Sequence, residues 1–285
     1  MSSLLQDVYS ELERWESVPN RREPFSVEML AAQEAKVIDT QATFLSFDAA
    51  FTDWSEVGLF NGNRRAEWCQ DSSHSQPASP RINRFGDTEA FCILDIVMHT
   101  TDGRRFTGAD ILSVPVTEYE ACYITWRTQK NGDHGQTKVW GRAQHEGGRS
   151  LINPMYRIIK RFVTLRGIKD TSTPLALYQT DSFKEPEVLL ITDSKATTAM
   201  RWLASKVYKL DPIKKKTELQ RWSCHSFRVG ACTLLHTQGF TGEQIKFILR
   251  WNSDAFMTYL RNSILLANQQ VQALDRASGL VPNTI

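Results

Sequence analysis

Apolar residues recur at helical spacing in several stretches of the chain. Leu4, Leu5, Val8, Leu12 and Trp15 predict a helix over residues 4–16. The charged run VPNRREP (18–24) ends it, because Pro19 and Pro24 interrupt regular structure, and the run predicts a linker. Ser26 ahead of VEMLAAQEAKVI predicts a second helix with a serine cap, whose hydroxyl accepts a first-turn N–H. FLSFDAAFTDWSEVGLF (44–60) predicts a third, ending near Asn61-Gly62. The Ser- and Pro-rich QDSSHSQPASPRINRFGD (70–87) predicts a polar loop.

Between residues 88 and 142 the pattern becomes β-rich. FCILDIVMH, ACYITWRTQ and QTKVWGRA predict strands, the last two joined by KNGDHG, a hairpin turn with Asn-Gly. Helices return in PMYRIIKRFVTLRG and SKATTAMRWLASKVY. Three more follow in the last third. The first begins near Ser223 and ends at Gly239, a natural helix terminator. The second opens on Thr241 with Gln244 three residues on, a reciprocal capping pair, and buries Ile245, Ile248 and Leu249. The third follows Asn252-Ser253-Asp254, with Ser253 as cap and Phe256, Leu260 and Ile264 on its core face. No internal repeat is present. The sum is an α+β fold, a mostly helical bundle with a small antiparallel sheet on one side.

Composition narrows the class. The 285 residues suffice for one large or two small domains, and 41% hydrophobic content is ordinary for a globular chain. No apolar run reaches the ~18 residues of a membrane span, so no membrane partner is expected. The acidic, polar start MSSLLQDVYSELERWE is unlike a secretory signal. Cys69, Cys92, Cys122, Cys224 and Cys232 are odd in number and scattered, which predicts reduced thiols in an intracellular protein. The net charge of +2 is unevenly divided. Residues 201–261 hold eleven Lys/Arg against four acids, a net +7, which leaves −5 for the rest. Such a basic stretch suits a polyanion, with Lys214, Lys215, Lys216, Arg221 and Arg250 as expected DNA contacts. A solvated lysine-rich loop, KLDPIKKK, explains the same charge without a partner.

His225 and Arg228 lie three apart near a helix start, so both side chains can reach one anion. Alone, H-x-x-R is a weak signal. Cys224, His225, Cys232 and His236 are close in sequence, but their C-x7-C-x3-H spacing matches no usual zinc pattern. Neither metal nor organic cofactor is expected.

The whole segment HSFRVGACTLLHTQGFTGEQIKFILRWNSDAFMTYLRN (225–262) resembles the C-terminal motif of the tyrosine recombinases, the phage-integrase superfamily. HS-x-RVGA, Gly239, Trp251 and Y-x-RN at 259–262 are similar to the Cre-like members, and LRW-x-SDAF-x-x-YLRN has the texture of enzymes from algal and other protist mobile elements. The resemblance implies a first arginine after an apolar helix. NGNRRAEW (61–68) offers Arg64 with Glu67 as its supporting acid, and Arg65 as the neighbouring competitor. It also implies a lysine in a β-hairpin turn, which points to Lys130, with Lys138 as the fallback. The implied catalytic set is Arg64, Lys130, His225, Arg228, Trp251 and the nucleophile Tyr259.

The implied activity is DNA breakage and rejoining through a covalent 3′-phosphotyrosine, without metal or ATP. The implied partners are double-stranded DNA and further copies of the chain, as a tetramer on DNA and a monomer when free. The implied location is with DNA, in a nucleus or a bacterial cytoplasm. Residues 24–285 would form the catalytic domain and 1–23 a helix and linker left from a DNA-clamping domain. Residues 263–280 have apolar spacing suited to docking on a neighbouring copy or to packing within the chain. Two departures stand out. Trp251 and Tyr259 are eight residues apart, one fewer than the family spacing, and the resemblance leads to the expectation of a clamping domain that is shortened or lacking. Two other readings stay open: a type IB topoisomerase-like enzyme, and an inactive DNA-binding derivative of the same fold.

Overall fold

The computed structural model describes residues 22–84, 86–127, 134–145, 147–182, 184–251, 253 and 257–260, the side chains of 258 and 259 excepted. Side-chain caps start its helices. Ser26 accepts the Met29 N–H at the head of α1 (Val27–Asp39), and Ser46 accepts that of Ala49 at the head of α2 (Phe47–Asn61). Gly62 ends α2 with a left-handed φ of 56°, which a residue without Cβ adopts at little cost. A short α3 (Arg65–Trp68) follows directly.

The sheet then forms from β1 (Ile96–Thr100), β2 (Arg105–Thr107), β3 (Tyr119–Trp126) and β4 (Gln136–Gly141). All neighbours are antiparallel, in the order β2-β1-β3-β4. Ile96 faces Ile124 and Met98 faces Cys122 across β1 and β3, so alternate residues fill one buried face. Beyond it come α4 (Ile152–Arg166), a two-stranded ribbon of β5 (Leu177–Gln179) and β6 (Val188–Leu190), and α5 (Asp193–Val207). The chain then runs through α6 (Lys216–Leu219), α7 (Ser226–Thr237), α8 (Gly242–Leu249) and α9 (Met257–Leu260). The fold is α+β with a small antiparallel sheet, as the hydrophobic pattern implies.

Aromatic rings tie these elements together. Phe25 meets Phe227 edge-on at 4.8 Å, Phe227 meets Trp68 at 5.5 Å, and Trp68 stacks on Trp54 at 5.7 Å. Trp54 stacks on Phe91, which meets Trp126 of β3. The chain of rings links α2, α3, α7 and the sheet through one buried core. The approach of α2 to α7 is close: a Cβ on Gly58 would lie 2.6 Å from the Phe227 ring. Between α2 and α4, buried Asp53 receives Arg157 at 2.6 Å and Arg161 at 2.7 Å.

Several expectations change. Residues 22–24, expected to end a linker, are docked together with Phe25. Glu23 and Phe25 donate backbone N–H bonds to the Arg221 and Ser226 carbonyls, and the Trp222 indole donates to the Pro24 carbonyl. The Phe25 carbonyl lies so near α7 that a Cβ at Gly230 would be 2.1 Å from it. The strand expected over FCILDIVMH starts late, because Asp95 accepts the Cys92 N–H and winds Ile93–Asp95 into a 3-10 turn. The first of the three C-terminal helices starts at Ser226 rather than near Ser223. The helix expected over residues 4–16, the start of the last helix at Asn252 and 254–256, and the segment 263–280 lie outside the described residues. Among the described residues no helix is long and apolar enough to cross a membrane.

Candidate functional site

The two halves of the sequence-predicted site meet where α2 ends and α7 begins. Arg64 caps α3 in an extended conformation, and the Glu67 carboxylate accepts its backbone N–H at 2.9 Å. The Arg64 guanidinium makes a 3.5 Å ion-pair contact with Glu67, too long for a strong hydrogen bond. Arg65, the competitor, points elsewhere and pairs with Asp193 of α5 at 2.6 Å. Of the two neighbours, the structure therefore brings Arg64 to the cluster.

From the other half, His225 sits at the cap position of α7 and Arg228 one turn later. Arg228 donates to the Gly62 carbonyl at 3.0 Å and lies 4.7 Å from the Trp251 ring centroid. Arg64 and Arg228 each reach the Arg250 carbonyl at 3.5 Å. Arg250 aims that carbonyl because it ends α8 in the left-handed region, with φ 57°. That conformation is uncommon for a side chain with Cβ. Its guanidinium is buried, bonded to Glu67 at 2.9 Å and 3.7 Å from the Trp126 centroid. The expected role of Arg250 as a DNA contact is therefore corrected. Its charge is spent on Glu67 inside the fold, and what it offers the site is its carbonyl.

The cluster thus holds Arg64, Glu67, His225, Arg228, Arg250 and Trp251. Cys69 and Cys224 add a buried contact between the halves, their sulfurs 3.8 Å apart. Lys130 lies outside the described residues, and of Tyr259 the helical backbone in α9 is described. That helix packs against α7, the element that carries Arg228, with Leu260 buried. Lys138 of β4 stands with its ammonium 3.3 Å from the Phe247 ring centroid, and burial and the Arg250 charge both lower its pKa. Lys214, Lys215 and Lys216 are exposed around the start of α6, with Lys215 paired to Glu218 at 2.6 Å. Arg221 is ion-paired with Glu23.

Positive charge dominates the electrostatics. Burial, then Arg228, Arg22 and Arg64, push the His225 imidazole down to about 4. His225 is therefore neutral at pH 7. Two guanidiniums beside a neutral imidazole, resting on one carbonyl at long distance, suit a group with several anionic oxygens. Glu67 is committed to Arg64 and Arg250, so it orients the cations. A cavity of about 630 Å³ beside Glu34, Glu56, Arg149 and Arg157 shares no lining residue with the cluster, and its charges pair among themselves. Among the described residues no three His, Cys, Asp or Glu side chains converge as metal ligands.

Sequence reasoning missed the Arg250–Glu67 pair and the approach of Arg22. An arginine at a helix end where glycine is usual was the available signal for the first. Nothing local signalled the second. No family model matches the chain, and no curated protein matches it either.

Two outcomes follow from this geometry. The His225 imidazole has a pKa of 6.5 in the unfolded chain and about 4 in the folded one, so the unfolded form binds the proton more tightly. The His225 contribution to stability is full above pH 6.5 and is lost as pH drops from 6.5 towards 4. In urea unfolding, His225→Gln should lose less stability between pH 7 and pH 5 than the native chain, and an equal loss contradicts the assignment. Glu67→Ala leaves Arg250 buried without its carboxylate and should destabilise the fold by about 3–5 kcal/mol. Adding Arg250→Met should restore part of that loss, whereas a further full loss contradicts the pairing.

Proposed function

We propose that the chain breaks and rejoins DNA as a tyrosine recombinase does, through a covalent bond between Tyr259 and a DNA 3′ phosphate. The observation that carries the reading is the meeting of Arg64 and Arg228, 164 residues apart in sequence, on one carbonyl beside His225. A phosphodiester bound there would replace the two 3.5 Å contacts with shorter, charge-assisted ones.

The chemistry then runs as one in-line displacement and its reverse. The Tyr259 hydroxyl gives up its proton to solvent water as its oxygen bonds to phosphorus. The P–O bond to the 5′ carbon's oxygen breaks, and that oxygen takes a proton from a lysine. Arg64 and Arg228 hold the non-bridging oxygens as charge builds on them, with His225 and the Trp251 indole as further donors. The proton source is Lys130, which the resemblance implies, or Lys138, whose pKa is lowered by burial and by the Arg250 charge. A second strand's 5′ hydroxyl reverses the step, so the energy of the broken bond is kept and no ATP is used. Four copies would hold the two duplexes during exchange.

A pool of random-sequence duplexes nicked near the cleavage point traps the covalent state, since the short cleaved fragment diffuses away. The expected result is a protein–DNA adduct that is absent in Tyr259→Phe. In Arg228→Ala its rate of formation should fall by about 10²–10³, the usual effect of removing one oxyanion donor. Whichever of Lys130→Ala and Lys138→Ala shows a comparable loss identifies the acid. DNA binding without any adduct would overturn the enzyme in favour of an inactive DNA-binding derivative. Relaxation of supercoils without joining of separate duplexes would favour a topoisomerase-like activity.

A further inference from the structure

We infer that Arg22, on the docked segment ahead of α1, is an additional phosphate-binding residue of this site and holds the DNA backbone beside the scissile position. The inference rests on the reading of the site given above.

The placement is built from the backbone. Residues 22–25 run along residues 220–226, joined by the Glu23–Arg221 and Phe25–Ser226 backbone bonds and the Trp222–Pro24 bond. The Phe25 ring is packed on Phe227, and Gly230 leaves room for the Phe25 carbonyl on α7. The segment is therefore fixed on the same helix start that carries His225 and Arg228. At its edge, Arg22 is exposed, and one of its guanidinium N–H groups is bonded to the Gln220 carbonyl at 2.8 Å. That described partner is neutral, so it orients the guanidinium without cancelling its charge. A guanidinium carries five N–H donors, which leaves others to face a ligand. Its charge reaches the cluster, since Arg22 acts on His225 alongside Arg228 and Arg64.

A merely structural arginine would tie down Gln220 and do no more. What distinguishes Arg22 is that the tie holds an exposed cation on a third chain segment, docked beside the helix start that carries His225 and Arg228. Arg64 comes from the end of α2, Arg228 from α7, and Arg22 from the segment that leads into α1. Three cations brought from three segments to one helix start match a stretch of phosphodiester backbone better than a single phosphate. The ligand class is the DNA backbone, read without regard to sequence.

Two readouts on the full chain test this. The first is the affinity for a random-sequence duplex as a function of salt. Each phosphate contact contributes about 0.9 to the slope of log affinity against log salt. Arg22→Gln keeps an N–H for the Gln220 carbonyl but loses the charge, so its slope should be shallower by about 0.9. Arg22→Lys should keep the native slope. The second is the His225 titration followed by NMR without DNA. It should move upward in Arg22→Gln and stay in place in Arg22→Lys. A native chain that binds DNA, with an unchanged slope in Arg22→Gln, overturns the role of Arg22 and leaves the site standing. An unmoved His225 titration in Arg22→Gln also overturns it. A native chain with no salt-dependent DNA binding overturns the site itself, and the role of Arg22 with it.

Discussion

A buried ion pair, Glu67 with Arg250, is the contact on which the site depends. Both side chains are almost wholly shielded from water. Separating them would leave a charge in the interior, which costs several kcal/mol, so each fixes the other's position. Glu67 also accepts the Arg64 backbone N–H, which sets the direction in which Arg64 leaves α3. Arg250 in turn ends α8 in a left-handed turn that presents its carbonyl to Arg64 and Arg228. One pair thus joins the end of α2, the head of α3, the face of α7 and the end of α8. The ring chain from Phe25 to Trp126 supplies the rigid background, and Trp126 packs under the Arg250 guanidinium.

The arrangement stabilises the fold and burdens it at once. Burial disfavours the charged His225 imidazole, and the like charges of Arg228, Arg22 and Arg64 add to the cost, which is why it holds its proton weakly. A bound anion would relieve that repulsion. The proposed chemistry uses the same feature, because the phosphoryl group gains negative charge on its outer oxygens as the nucleophile arrives.

Much of this was legible in the sequence, and for local reasons. Ser26 and the Thr241–Gln244 pair announce their helices through hydrogen bonds made within one turn, and both are formed. The alternation through ACYITWRTQ and QTKVWGRA gives β3 and β4 directly. His225 and Arg228 share a face by spacing alone. What failed was long-range. The strands β2, β5 and β6 are three residues each, too short to show a period. Arg64 and Arg65 are chemically alike, and only Asp193, 128 residues from Arg65, separates their directions. Arg250 read as a surface cation because its partner Glu67 lies 183 residues away. Residues 22–24 read as the end of a linker because prolines and charges mark linkers, while the docking of 22–25 depends on backbone bonds to residues 221 and 226.

Identifying the attached residue tests the central claim most directly. The covalent complex would be digested with nuclease and protease and its peptides sequenced by mass spectrometry. The expected product is a nucleotide remnant joined through its 3′ phosphate to the Tyr259 oxygen. A remnant on any other residue, or joined through a 5′ phosphate, would contradict it.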